Sequence, residues 1–258
     1  MEFRFIRFET FGPLGILTLN HPERRNALSL EMLRELTLLT GNIAREESVR
    51  VLIIRAEGKV FSSGHNLGQM VDGSLTQYRE IFRVCGSFMQ NLQELPQPVI
   101  AQVQGLATAA GCQLVAACDL AVAEEGATFG TPGVRIGVFC TTPAIPLVRA
   151  VGRKRALEML FTGRLITARE ALDWGLVNRV VPLDRLDMET RSLAEEIAQA
   201  SPLTLAIGKR AFYTQVNLND QQAYDFGGEI MVGNLFAEDA REGMQAFLEK
   251  RKPLWTGK

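Results

Sequence analysis

The chain has 258 residues, 47% of them hydrophobic, with 28 basic against 29 acidic side chains and a formal net charge of −1. That is enough apolar material for one large core, or a core with an appended helical subdomain, and so balanced a charge points away from nucleic acid and acidic membrane surfaces as partners. Four cysteines without C-x-x-C spacing and only two histidines, His21 and His65, offer no clustered metal ligands, and no run approaches the roughly 18–20 apolar residues of a membrane span.

The opening residues, Met1 to Phe8, alternate apolar and charged, which is a strand pattern and not the apolar core of a signal peptide. With no evident transit extension, the expected setting is soluble, intracellular and cytoplasmic. Phe3–Phe8 and Ile16–Leu19 flank Gly12-Pro13 and read as a hairpin. Ser29 is placed to cap a helix running to about Glu46, with Leu30, Leu33, Leu36 and Ile43 on a helical period. Three later segments share a rhythm of apolar strand followed closely by a glycine turn: Val51–Ile54 then Phe61–Gly64, Val99–Val103 then Gly105, and Leu120–Ala123 then Phe129-Gly130. Such a weak repeat suggests stacked strand–turn–helix units. Gly68–Leu75 reads as a polar loop suited to a lid over a cleft. Small residues from Ala107 to Gly111 lead into a helix over Cys112–Ala117, a turn that leaves N–H donors unsatisfied at a helix start. Two such turns, Phe61–His65 and Gly105–Cys112, suit a developing oxyanion. Thr167 to Glu170 is a capping box opening a helix that ends at Gly175. From Leu183 the pattern is almost wholly helical, with Ser201-Pro202 as N-cap and first helical residue. A boundary is expected near 190, dividing a core (1–190) from a helical subdomain (191–258). The apolar set Leu205, Ile207, Ala211, Phe212 and Val216 exceeds what a lone surface helix exposes, which suggests packing on another subunit.

Asn20-His21-Pro22 with Asn26-Ala27-Leu28, Phe61 to Leu67, Gly105 to Leu114 with Cys118-Asp119, Phe129 to Pro132 with Ile136-Gly137, Ala168 to Gly175 and Glu242 to Pro253 follow one another in the order of the crotonase (enoyl-CoA hydratase/isomerase) superfamily, which the chain resembles along nearly its whole length. The resemblance implies an α/β fold: a ββα spiral core with a C-terminal helical oligomerisation subdomain, assembled as homo-trimers or paired trimers. It implies an acyl-CoA thioester as substrate, with coenzyme A as part of that substrate and no separate cofactor or metal. The backbone N–H groups of His65 and Ala110 would hold the thioester oxygen as it becomes an enolate, and losing one such donor typically costs about 10²–10³ in rate. Arg24, Arg25 and Ala27 would border the nucleotide, Ser63, His65, Leu67 and Gly111 the pantetheine and thioester, and Phe247 and Lys250 would reach CoA, often in a neighbouring subunit. Glu23 and Gly68 stand where relatives often carry lysines.

The departure lies in the acid/base pair. The two family glutamates fall on Gln113 and Gly133, neither of which exchanges a proton near neutral pH. Losing one such group usually removes about 10²–10⁴ of rate, so simple hydration should be nearly abolished. His65 is the best titratable replacement, and Cys140, followed by Thr141 and Thr142, sits where relatives place reaction-specific residues. Arg135 is a candidate for a carboxylate or phosphate. Three activities remain open: an enoyl-CoA hydratase-like lyase, a decarboxylase of a malonyl-type CoA thioester, and a non-catalytic acyl-CoA binder.

Overall fold

The computed structural model describes residues 3–258, so Met1 and Glu2 of the alternating opening lie outside the described residues. Antiparallel β1 (Ile6–Phe11) and β2 (Leu14–Leu19) form the expected hairpin. β1 begins at Ile6 and not at Phe3, because the N–H groups of Arg4 and Phe5 donate to the Glu35 carboxylate at 3.0 and 2.9 Å. Ser29 caps α1 (Leu30–Ile43) by accepting from the Met32 N–H. The helix stops short of Glu46 because the Ala44 N–H turns to the carbonyls of Thr40 and Asn42, a tightening common at helix ends.

β3 (Val51–Ala56) lies parallel to β2. After the Phe61–His65 turn comes α2 (Leu75–Glu94), which has no counterpart among the elements expected above. Its buried positions Ile81, Val84, Cys85, Phe88, Met89 and Leu92 follow a helical period. β4 (Val99–Val103), β5 (Leu106–Thr108), α3 (Ala110–Ala117), β6 (Leu120–Glu124) and β7 (Thr128–Gly130) follow. α3 starts two residues earlier than the helix expected at Cys112, since Ala109, at φ 50° and ψ −118°, makes the whole turn in one residue. α4 (Thr141–Val151), α5 (Arg153–Thr162), β8 (Leu165–Thr167), α6 (Ala168–Trp174), β9 (Arg179–Val181) and α7 (Leu186–Ala198) complete the core. The Thr167/Glu170 capping box opens α6, and Gly175 ends it.

The six-stranded sheet has the order β1-β2-β3-β4-β6-β9, and a three-stranded sheet the order β5-β7-β8. The repeated units are visible in the pairing. Their first strands, β3, β4 and β6, are parallel neighbours in the large sheet. Their second halves stack in turn, with Ser62 bridged to Ala107 and Ala107 paired with Phe129. The result is a spiral of the kind the resemblance implies. Phe61, Phe88 and Phe129 are fully buried within it, each contributing about 1.5–3 kcal/mol of hydrophobic stabilisation.

Residue 190 falls in the middle of α7, whose Leu186, Ala194 and Ala198 pack on Leu14, Val51, Ile53, Ile100 and Val122 of the sheet. α7 thus packs on the core sheet. Beyond it stand α8 (Pro202–Gln215), α9 (Asp220–Leu235) and α10 (Glu238–Glu249). α8 is fastened to the core by a partly buried cluster: Lys209 Nζ lies 2.6 Å from Asp119 Oδ2 and donates to the carbonyls of Leu92 and Gln97 at 2.7 and 2.9 Å. Tyr213 Oη donates to Asp119 Oδ1 at 2.8 Å. Among the described residues no helix is long and apolar enough to cross a membrane, and no group of His, Cys, Asp and Glu is placed to hold a metal ion.

Candidate active site

The two glycine turns meet. Gly64 has φ +92°, and a Cβ placed on it would lie 2.8 Å from Ala109 Cβ and 3.2 Å from Ala110 N, so only glycine lets the turns close on each other. Asn26 holds the first turn from behind: its side-chain amide donates to the carbonyls of Glu57 and Val60, and its own carbonyl accepts from Ser62 Oγ at 2.9 Å. The Ser63 N–H donates to Arg25 O at 3.0 Å, which brings the Arg24–Ala27 segment beside the turn. Gly111 abuts the Ser62 backbone. Among the described residues, no turn, loop or cap hydrogen bond engages the N–H of His65 or of Ala110. Ala110 is the first residue of α3, where an N–H has no partner within its own helix and the helix dipole favours negative charge.

Both turns open onto a cavity of about 690 Å³. It is lined by Ser63, His65, Leu67 and Met70, by Phe82 of α2, and by Ala109 and Ala110. The segment before α4 and its first turn complete the lining: Pro132, Gly133, Arg135, Ile136 and Val138 through Pro143. None of the lining residues is an aspartate or a glutamate. Both ring nitrogens of His65 are buried, with only the Leu28 backbone near enough to oppose the effect of burial, and the ring meets Phe82 edge-on at 5.3 Å. Burial holds its imidazole below the ordinary value of 6.5, so His65 is neutral at pH 7.

Of the sequence-derived candidates, Ser63, His65, Leu67, Ala110, Gly133, Arg135, Cys140, Thr141 and Thr142 line this cavity. Gln113 does not: it is 3% exposed, and its Oε1 is buried without a partner. Gly133 is enclosed, since a Cβ there would lie 2.3 Å from Val138 O and 2.7 Å from Cys140 Sγ. The Val138–Cys140 segment thus fills the space that a side chain at 133 would enter. Cys140 is 8% exposed, and burial raises its thiol pKa, which disfavours a resting thiolate. Cys85 and Cys112 are buried thiols pushed up to about 12, and Cys118 is raised by burial as well. Arg24 and Arg25 are exposed. Phe247 (83% exposed) and Lys250, the left-handed cap of α10, lie on the surface and not in the cavity of this chain. Met70, Phe82, Ile136, Val138 and Phe139 join the site without having been singled out. Phe82 belongs to the unanticipated α2, whose apolar stripe carried the signal.

This arrangement of spiral core, paired turns and cavity goes with a class: residues 12–258 match the family described as enoyl-CoA hydratase/isomerase, and the chain belongs to it. The chain is similar to mouse enoyl-CoA hydratase domain-containing protein 3, mitochondrial, at 48% identity over 241 residues, covering 93% of this chain and 80% of that protein. The Xenopus laevis protein of the same name is 50% identical over 241 residues, covering 93% and 82%. Their names place these relatives in mitochondria. The crystal structure of human enoyl-CoA hydratase domain-containing protein 3 matches with a TM-score of 0.95 at 45% identity, covering 98% of this chain and 100% of that one.

Proposed function

We propose that the cavity receives the acyl end of a CoA thioester, holds its carbonyl oxygen between the N–H groups of His65 and Ala110, and stabilises the enolate form without the proton transfers of hydration. The observation that carries this reading is the pair of unengaged N–H groups on abutting turns, at a cavity lined by no carboxylate. An oxyanion there is stabilised by donors fixed in advance by the fold, while neither Gln113 nor Gly133 can deliver or remove a proton. His65, buried and held toward its neutral form, is the titratable group beside the reacting atoms. A β-ketoacyl-CoA, whose α-proton is acidic enough to pass to solvent and whose enolate absorbs in the near ultraviolet, tests the reading: the enolate band should grow on binding as that proton is released to the buffer. Hydration of crotonyl-CoA should run at least about 10³-fold below a family hydratase carrying both carboxylates. A hydratase-like rate, or no enolate band, would overturn the proposal.

We further infer assembly as a trimer or hexamer. No residue of α8 or α9 is buried, and Phe212, Met231 and Phe236 stand 56%, 63% and 72% exposed, more apolar surface than a lone helical subdomain keeps. In such an assembly Phe247 and Lys250 would reach a neighbour's CoA. Light scattering should give three or six times 28.5 kDa, and a monomer at micromolar concentration would refute it.

A further inference from the structure

The charge of the cavity is inverted relative to one carrying two glutamates. With Gln113 and Gly133 at those positions, the lining holds no acid, and neutral His65 adds no charge. The remaining formal charge is the guanidinium of Arg135. Its stem runs over Gly163, where a Cβ would lie 3.1 Å from both Arg135 Cγ and Nε. Nε donates to Thr162 O at 3.4 Å. Among the described residues Arg135 forms no ion pair, and no hydrogen bond engages its two terminal nitrogens. The first turn of α4, Thr141 to Pro143, faces the same space and contributes the same sign of field.

Two carboxylates on the wall would repel an anionic acyl group, whereas here an acyl carboxylate meets only an unpaired cation. An arginine fork suits a carboxylate, which it can engage through two parallel hydrogen bonds. The same fork would accept a phosphate of the CoA moiety. Position separates the two: Arg135 lines the cavity together with Gly133, Cys140 and Thr142, whereas the arginines expected at the nucleotide, Arg24 and Arg25, are not among the lining residues and are tied to the first turn through Ser63.

Resting on the reading that the cavity binds CoA thioesters, we propose that Arg135 selects acyl groups bearing a free carboxylate, so that the preferred ligands are ω-carboxyacyl-CoA thioesters. The test measures dissociation constants for malonyl-, succinyl-, glutaryl- and adipyl-CoA, each against the neutral acyl-CoA of the same carbon count, and for free CoA. At least one carboxylated member should bind about tenfold or more tightly than its neutral partner, the scale of a hydrogen bond to a charged group. In Arg135→Gln that ratio should fall to about one, and Arg135→Lys should restore part of it. Arg135 is exposed and makes one long hydrogen bond, so the variants should fold; circular dichroism checks this. Absence of any carboxylate preference in the native protein overturns the proposal while leaving thioester binding intact. An equal loss of free CoA and carboxylated ligands in Arg135→Gln also overturns it, by assigning the fork to a phosphate. If no CoA thioester binds, both readings fall together.

Discussion

Replacing Gly133 by alanine adds one methyl group and nothing else, which makes it a direct measure of how far the site has closed. The added Cβ would sit 2.3 Å from Val138 O and 2.7 Å from Cys140 Sγ, against ordinary heavy-atom contacts of about 3.5–4.0 Å. Relief requires the backbone at Val138 to withdraw by roughly 1 Å, because the nearer contact, Val138 O, is main chain, whereas Cys140 Sγ can swing aside by rotating its side chain. Overpacking of this kind costs about 1–3 kcal/mol. In a chain of this length each kcal/mol lowers Tm by about 2–4 °C, so Gly133→Ala should melt about 3–10 °C below the native protein in a thermal scan followed by circular dichroism. The displaced segment also lines the cavity, so affinity for a short acyl-CoA should fall together with Tm. Gly133→Glu should lose at least as much stability and gain no hydration of crotonyl-CoA. A Gly133→Ala variant that melts with the native protein, or a Gly133→Glu variant that hydrates at a family rate, would refute the reasoning.

Gly64→Ala should push a methyl group against Ala109 and toward Ala110 N and lower affinity for an enolate-mimicking CoA analogue by about 10²–10³, the usual effect of losing one oxyanion donor, while free CoA binds almost as before; equal losses for both ligands would count against the paired-donor geometry. Because burial lowers the His65 pKa, the folded state binds fewer protons there than the unfolded state, so His65 contributes to stability loss as pH falls below the unfolded value of about 6.5 and on through the depressed folded value. The fall in Tm over that window should be shallower in His65→Gln, and an unchanged slope would refute the assignment. Lys209→Met leaves Asp119 buried without its cation and should cost about 3–5 kcal/mol in chemical denaturation; Tyr213→Phe removes one hydrogen bond to a charged group and should cost about 1.5–3 kcal/mol. Near-native stability of Lys209→Met would show that the cluster fastens little.

Much of the spiral is legible because its units repeat a local pattern: an apolar strand and a glycine turn declare themselves within about fifteen residues at Val51–Gly64, Val99–Gly105 and Leu120–Gly130. Ser29, Thr167 and Ser201 cap helices as read, since capping depends on a few adjacent residues. α2 escapes this reading although its buried residues keep a helical period, because polar residues separate them and no strand precedes it directly. Gln113 illustrates the other limit. Its place one turn beyond Ala110 suggests a wall position, yet tertiary packing buries it outside the cavity. The enclosure of Gly133 likewise depends on residues 138–140 folding back, a contact that local spacing does not encode.

The two departures at the acid/base positions have unlike physical consequences. Gln113 keeps nearly the volume of a glutamate, so Gln113→Glu alters charge more than shape, and its buried, unpartnered Oε1 would force a carboxyl there toward its neutral form. Gly133 has lost the side chain altogether, and Val138 O and Cys140 Sγ now stand where that chain would begin. Restoring proton transfer therefore needs both a solvated environment around position 113 and an outward shift of the Val138–Cys140 wall. The same wall carries Arg135 close by in sequence, as part of the single-turn helix Pro132–Ile136. A substitution that reopens the wall for a carboxylate at 133 also moves a cation and places an anion near it, so hydration and selection of carboxylated acyl groups oppose each other in this cavity.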